Sequence, residues 1–305
     1  MFVVSLFLLS GSVYAQDTKT NTKFGTNVGQ QCTGRQNSFF GYEAGLNSTT
    51  CTNNTFVGCK AGFDNTTGKD NTFIGAFAGQ YSTIGTNNTF LGNCSGQKIT
   101  TGQGNTFIGA WAGNSNTEGQ DNTFVGLAAG FNSTGSGNVF IGSHAGINES
   151  GSNKLYIANG KEPNNVLIYG DFSNVKVGIG TTNPSCTLDV NGTIKGKSTV
   201  TPSDARLKKD IKNIKNALDN ITHLRGITFR WKDNEEDTGE HLGVIAQEVE
   251  SVFPEVVSTD DKGYKSVDYS KLTAPLIEAV KELKAENEAL KARIEALEQR
   301  SATRR

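Results

Sequence analysis

The chain has 305 residues, with 29 Lys and Arg against 30 Asp and Glu, and a formal charge of −1. That balance excludes the basic footprint of a general nucleic-acid binder, and no nucleic-acid partner is expected. Glycine reaches 36 residues, about 12% against a usual ~7%, and the apolar share of 35% is thin for an ordinary globular core.

Residues 2–15, FVVSLFLLSGSVYA, form an apolar run that ends on Ala15 ahead of polar Gln16. Its length and small-residue end predict a secretory signal over residues 1–15, too short to span a bilayer, with 16–36 as a lead-in. No other segment approaches the ~18 consecutive apolar residues of a spanning helix, so no membrane span is expected in the mature chain. The cysteines are Cys32, Cys51, Cys59, Cys94 and Cys186. They show no CxxC spacing and no neighbouring His pattern, so neither a metal nor another cofactor is called for. Their odd number forbids full pairing within the chain. Export permits a Cys51–Cys59 or an interchain bridge, and free, half-buried thiols are the other reading.

A fixed period dominates residues 37–152. The unit Asn-Thr-Phe-x-Gly, with small variations, begins at Asn37, Asn54, Asn71, Asn88, Asn105, Asn122 and Asn138, in steps of 17 with a final 16. Seven positions after each Asn stands Ala, or Ser at 95, followed by Gly. Seventeen residues cannot enclose a core, so the units are expected to stack as a β-solenoid with Phe39, Phe56, Phe73, Phe90, Phe107, Phe124 and Phe140 as a ladder. On this reading an isolated chain cannot bury that ladder. The recurring Ala-Gly pair points to close backbone approach, one candidate being the axis of a three-chain bundle. No carboxylate pair, His or nucleophile with a base recurs, so the repeats read as structural, with a polar surface open to a cell-surface glycan or receptor. The pattern resembles the head repeats of trimeric bacterial adhesins and of phage tail fibres, which implies a trimeric β-roll-like fibre.

Residues 153–202 follow as a β-rich neck, with short strands in NKLYIAN (153–159), VLIYGDF (166–172) and KVGIGTTNPSCTLDVNGTIKG (176–196). Gly178-Ile179-Gly180 lacks the third glycine and the following helix of a dinucleotide loop. The string VGIGTTNPS…LDVNG resembles the neck ahead of the C-terminal domain in tail-fibre-like proteins.

Composition changes at Thr201-Pro202-Ser203-Asp204, where Lys, Glu and Leu replace Asn, Thr and Gly, marking a boundary before residues 203–305. Leu207, Ile211, Ile214 and Leu218 predict a helix with Ser203 at its N-cap. A strand at Ile227–Trp231, a segment His241–Ala246 leading into a helix Gln247–Phe253, and a hairpin around Asp260–Gly263 come next. In the last helix, Leu276, Leu283, Leu290 and Leu297 lie seven apart, with Val280, Asn287 and Ile294 at the matching positions. This predicts a trimeric coiled coil over about 273–298, with a buried Asn287 fixing register. His144, His223 and His241 have no spaced partner for a metal or a triad.

The ordered run SDARLKKDI (203–211), FRW, HLGVIAQEVESVFPEVV (241–257) and terminal heptads closely resembles the intramolecular chaperone auto-processing domain. That domain ends phage endosialidase tailspikes, tail appendages and myelin regulatory factor, and the match runs over about 202–298. The resemblance implies an α+β domain that makes the chain a homotrimer, templates folding upstream and then cuts itself off. It implies a Ser/Lys dyad in an S-D-x-R-x-K motif, which falls here on Ser203, Asp204, Arg206 and Lys208, with Pro202–Ser203 as the scissile bond. Five residues span about 140° beyond a full turn of α-helix, so Lys208 and Ser203 can meet only if Ser203 lies outside the helix. A lysine takes a hydroxyl proton near neutral pH only when burial or neighbouring cations destabilise its ammonium. The implied protein is a secreted, cell-surface or virion tail fibre whose only enzymatic act is a single self-cleavage. Without the resemblance, Ser203 reads as a helix cap on a stable trimeric adhesin. A glycan-degrading tailspike would need more chain than the repeats provide.

Overall fold

The computed structural model describes residues 14–16, 20–160, 165–197, 201–232, 239–260 and 263–303. The chain divides into two compact units, Met1–Lys195 and Gly196–Arg305. Residues 1–13 of the expected secretory signal lie outside the described residues.

The first unit is a β-solenoid built on one 13-stranded sheet whose strands lie in sequence order. Strand β1 (Tyr14–Gln16) pairs antiparallel with β2 (Thr22–Phe24). From β2 the chain winds through β3 (Ser38–Phe40), β4 (Thr55–Val57), β5 (Thr72–Ile74), β6 (Thr89–Leu91), β7 (Thr106–Ile108), β8 (Thr123–Val125) and β9 (Val139–Ile141). These eight strands pair in parallel, each residue opposite its equivalent in the next coil. In a three-residue strand the central side chain points opposite to its neighbours. From β3 to β9 Phe takes that central place, and Phe39, Phe56, Phe73, Phe90, Phe107, Phe124 and Phe140 are all fully buried. Their rings stack with centroids 4.6 to 5.0 Å apart, a spacing set by the 4.7–4.9 Å separation of neighbouring strands.

The residue that starts each unit is buried too. Asn21, Asn37, Asn54, Asn71, Asn88, Asn105, Asn122 and Asn138 all have no exposed surface. At Asn88, Oδ1 accepts from the backbone N–H of Asn105 at 3.0 Å and from its Nδ2 at 3.1 Å. Nδ2 of Asn88 donates to Asn71 Oδ1 at 3.2 Å and to Gly102 O at 2.8 Å. One side chain therefore ties its own coil to the coils on either side. Ala44, Ala61, Ala78, Ser95, Ala112, Ala129 and Ala145 complete the core.

The single chain thus buries its Phe ladder, contrary to the sequence expectation, and the Ala-Gly pair serves this core rather than an axis between chains. At Gly96 the backbone is left-handed (φ +56°), and a Cβ there would lie 2.6 Å from the Phe90 ring of its own coil. The close approach is between a coil and its own phenylalanine. Gly92, which ends strand β6, has φ +143°, and its Cβ would meet Gly109 O at 2.5 Å; only glycine suits both demands.

The neck residues continue the same sheet. β10 (Lys154–Ala158) runs parallel to β9, then β11 (Val166–Asp171) and β12 (Lys176–Ile179) turn antiparallel, and β13 (Leu188–Val190) pairs parallel with β12. Tyr156 meets Phe140 edge-on at 5.4 Å and ends the ring stack.

The second unit holds α1 (Ala217–Thr222), the pair β14 (Ile227–Phe229) and β15 (His241–Gly243), α2 (Ala246–Val252), the pair β16 (Val257–Thr259) and β17 (Lys265–Val267), and α3 (Thr273–Ala302). Its core is small, centred on Val249, Phe253, Val256 and Leu272. The helix expected through Leu207, Ile211, Ile214 and Leu218 does not form as one piece. Only a 3-10 turn at Ala205–Leu207 and the short α1 are helical, because Asp210 and Asn216 adopt left-handed backbone (φ 54° and 53°). Leu207 and Ile211 are consequently 75% and 69% exposed. The start of α1 is capped from a distance: Glu282 on α3 accepts from Ala217 N at 3.1 Å and Leu218 N at 2.7 Å. Along α3, Leu276, Val280, Leu283, Leu290, Ile294 and Leu297 are 47–65% exposed as one heptad stripe. Asn287 Nδ2 donates to Leu283 O at 2.9 Å.

Replacing Asn88 with Leu keeps bulk while orphaning its partners in two neighbouring coils. We expect it to cost about 3 kcal/mol or more in chemical denaturation, while Thr89→Val, on the exposed side of the same strand, changes stability by less than ~0.5 kcal/mol. Equal, small effects would show that the asparagines do not hold the coils together.

Candidate active site

Ser203 and Lys208 flank the single 3-10 turn Ala205–Leu207. The cap of that turn is Asp204, not Ser203: Asp204 Oδ1 accepts from Arg206 N at 2.8 Å. The turn closes through Leu207 N to Asp204 O at 3.0 Å and Lys208 N to Ala205 O at 3.1 Å. At Lys208 the backbone is extended (φ −114°, ψ 143°). Three helical residues between two extended ones fold the segment back on itself. Lys208 Nζ reaches Ser203 Oγ and donates to it at 2.7 Å. Ser203 lies outside the turn, which is far shorter than the helix foreseen.

Arg206 grips the capping carboxylate as well. Its Nε lies 3.1 Å from Asp204 Oδ1 and its Nη2 lies 2.6 Å from Oδ2. These side-chain bonds, with the Arg206 backbone N–H, hold the Asp204 carboxyl below the usual carboxylate range and push the Arg206 guanidinium up. The four motif residues thus form two interlocked pairs: Asp204–Arg206 shapes the turn, and the turn brings Ser203 to Lys208.

The pair opens onto a groove of about 540 Å³ walled by Pro202, Phe253, Val256, Pro275 and Ile277. Phe253 and Val256 belong to the core of the unit, so one wall is held rigidly, while residues 201–213 are exposed. Pro202 stands beside the pair in this groove. The heptad positions Leu276, Val280, Leu283, Asn287, Leu290, Ile294 and Leu297 all lie on α3, and Thr273, Leu276, Ile277 and Val280 frame a second, apolar groove at its start. Asp204, which caps the turn at the site, and Glu282, which caps α1, are the two caps that the sequence did not single out. Asp204, adjacent to Ser203 and equally suited to cap a helix, was a legible alternative, whereas a cap 65 residues away leaves no local signal.

In chain order a repeat solenoid precedes a small α+β unit in which a serine and a lysine meet at the mouth of a groove. Residues 203–258 match the peptidase family described as "Chaperone of endosialidase", and this segment is a chaperone-of-endosialidase domain. The chain is 38% identical to the Long tail fiber protein Gp37 of Salmonella phage S16 over 80 residues, 24% of this chain and 11% of the relative. It is 37% identical to the Long tail fiber protein Gp37 of Enterobacteria phage K3 over 101 residues, 30% of this chain and 8% of the relative. It is also 36% identical to the Myelin gene regulatory factor-like A protein of Dictyostelium discoideum over 98 residues, 28% of this chain and 10% of the relative. The chain therefore spans about a tenth of the length of these relatives.

The depressed Asp204 carboxyl carries a pH dependence. Its cap and ion pair contribute above the ordinary aspartate range and are lost as pH falls through the lowered folded value. An NMR titration should place the Asp204 midpoint below that of an ordinary aspartate. Arg206→Ala should raise it only part of the way back, since the residue-206 N–H still donates. A midpoint unmoved by Arg206→Ala would contradict the assignment.

Proposed function

We propose that the protein is a homotrimeric fibre whose segment 203–305 assembles the chains and then severs itself between Pro202 and Ser203. The observation that carries this reading is the 2.7 Å approach of Lys208 Nζ to Ser203 Oγ within the segment that matches the chaperone of endosialidase.

In the reactive state Lys208 is neutral and takes the Ser203 hydroxyl proton as Oγ attacks the carbonyl carbon of Pro202. The C–N bond then breaks, and the Ser203 nitrogen leaves as an amine with the proton returned by Lys208. An ester now joins the Pro202 acyl group to Ser203 Oγ. Water adds to that ester, giving a carboxylate at Pro202 and restoring the Ser203 hydroxyl. Arg206 occupies the carboxylate of Asp204 and so keeps that acid from forming an ion pair with Lys208. Both dyad residues are exposed on the single chain, so closing the groove on assembly supplies the desolvation the reaction needs. Cleavage then waits for folding.

The exposed heptad stripe of α3 supports the trimer, for six large apolar side chains at 47–65% exposure are a seam that wants partners. A buried Asn287 at that seam sets register. The solenoid is the lasting product, a virion or cell-surface fibre with residues 1–15 removed as a signal, residues 16–36 leading in and a coiled coil over 273–298 on the released part. Its polar coil surface is the place for a glycan or receptor.

On a denaturing gel, wild-type protein should resolve into two fragments, while Ser203→Ala and Lys208→Ala should each leave a full-length band. Lys208→Arg should also remain uncut, since guanidinium stays protonated. Undiminished cutting in Ser203→Ala would remove the dyad from the mechanism; an uncut wild type would leave a domain that only trimerises. Sedimentation of the uncut Ser203→Ala chain should give a trimer, and Asn287→Ile should raise thermal stability while loosening stoichiometry. A stable monomer would refute the seam.

A further inference from the structure

Cys32 and Cys51 lie in the first two coils of the solenoid, with their sulfur atoms 3.6 Å apart. The backbone holds them side by side: Thr33 N donates to Thr49 O at 2.6 Å, and Asn53 N to Arg35 O at 3.1 Å. Cys32 is 8% exposed and Cys51 is fully buried. The sulfur that Cys51 meets is that of Cys32, not the Cys59 partner considered from the sequence.

Neither residue is demanded by the coil pattern. Cys51 stands fourteen positions after the coil's first Asn, where Gly68, Gly85, Gly102 and Gly119 stand in the following coils. Cys32 stands eleven positions after Asn21, where Ser48, Ser82 and Ser133 occupy other coils. Two thiols thus stand together in columns where other coils carry Gly in one and, in three coils, Ser in the other. Asn37, a member of the buried ladder, bridges them, with Nδ2 3.5 Å from Cys32 Sγ and 3.0 Å from Cys51 O. The hydrogen bond with Cys32 and burial both push the Cys51 thiol up. A protonated, buried thiol is neither an activated nucleophile nor a metal ligand, and among the described residues no group of His, Cys, Asp or Glu is arranged to hold a metal.

We propose that Cys32 and Cys51 form a disulfide that staples the first coil of the solenoid to the second. The oxidant is a small-molecule disulfide of the glutathione class. One cysteine, as thiolate, attacks a sulfur of that disulfide and releases one small thiol; the other then attacks the mixed disulfide and releases the second. The protein S–S bond forms, the oxidant's S–S bond is reduced, and the two cysteine protons leave on the released thiols or to solvent. Because both sulfurs are buried, exchange takes place on the open first coil, before it closes. Bringing the sulfurs from contact to the ~2.05 Å of a disulfide needs about 1.5 Å of closure, within reach of small side-chain rotations. The first coil has a full coil on one side only, with just the short β1 on the other, so a link there restrains the coil most prone to opening. The proposal is independent of the cleavage reaction.

The full chain, folded with oxidised and reduced glutathione, is denatured and treated with iodoacetamide before any reductant. Alkylation should fall on Cys59, Cys94 and Cys186 alone, with Cys32 and Cys51 recovered in one linked peptide that separates on reduction. Alkylation of both Cys32 and Cys51, or a Cys51–Cys59 peptide, would overturn the proposal. The variant Cys32→Ser with Cys51→Gly carries residues that other coils use at these positions. In the wild type, reduction should speed tryptic cutting at Lys23 and Arg35 about tenfold, and in the variant reductant should change nothing. Equal wild-type rates with and without reductant would show that no staple holds the coil.

Discussion

A buried asparagine side chain in every coil is the interaction on which the solenoid depends. The amide of Asn88 makes four hydrogen bonds to three different segments, and the same set recurs at Asn54, Asn71 and Asn105. A buried amide left unpaired would be a liability; fully paired in a continuous column, it becomes a register device that no apolar residue could supply. A slip by one residue would break every bond in the column. The phenylalanine stack, whose rings lie almost parallel, fills the space that this register defines. The glycines at the strand ends allow the chain to turn close enough to those rings.

Because the ladder runs within one chain, the solenoid closes its own core and needs no second chain to bury its phenylalanines. The second unit has the opposite character. Its core rests on four buried side chains, its longest helix presents an exposed apolar stripe, and the irregular segment between Ser203 and Asn216 carries a single 3-10 turn. Such a unit has much to gain from association and little rigidity before it.

The repeat period, the Phe column and the solenoid were legible from residue identities alone, because a fixed spacing of Phe and Gly has few physical realisations. The first coil was not, since Asn21 is followed by Lys23 where later units have Phe, although the buried Asn21 accepts from Asn37 N at 2.9 Å like any other ladder member. The Asn itself was read as a marker of period rather than as core. Its recurrence was the available signal, for a polar residue kept in every unit has a partner in every unit. For the Ala-Gly pairs an axis between chains is only one candidate from sequence, because sequence shows that space is tight without showing what occupies it. The Leu207–Leu218 stripe had helical spacing, yet Asp210 and Asn216 prefer the left-handed backbone, and a cap from Glu282 restarts the helix at Ala217. Ser203 and Lys208 were paired by resemblance; spacing added only that an unbroken helix would keep them apart.

Intact-mass spectrometry of the folded wild-type protein tests the central claim most directly. The account predicts two species whose masses place the break between Pro202 and Ser203, with the smaller beginning at Ser203 and carrying an unmodified amine. A single species of unbroken chain after folding and assembly, or a break at any other bond, would contradict it.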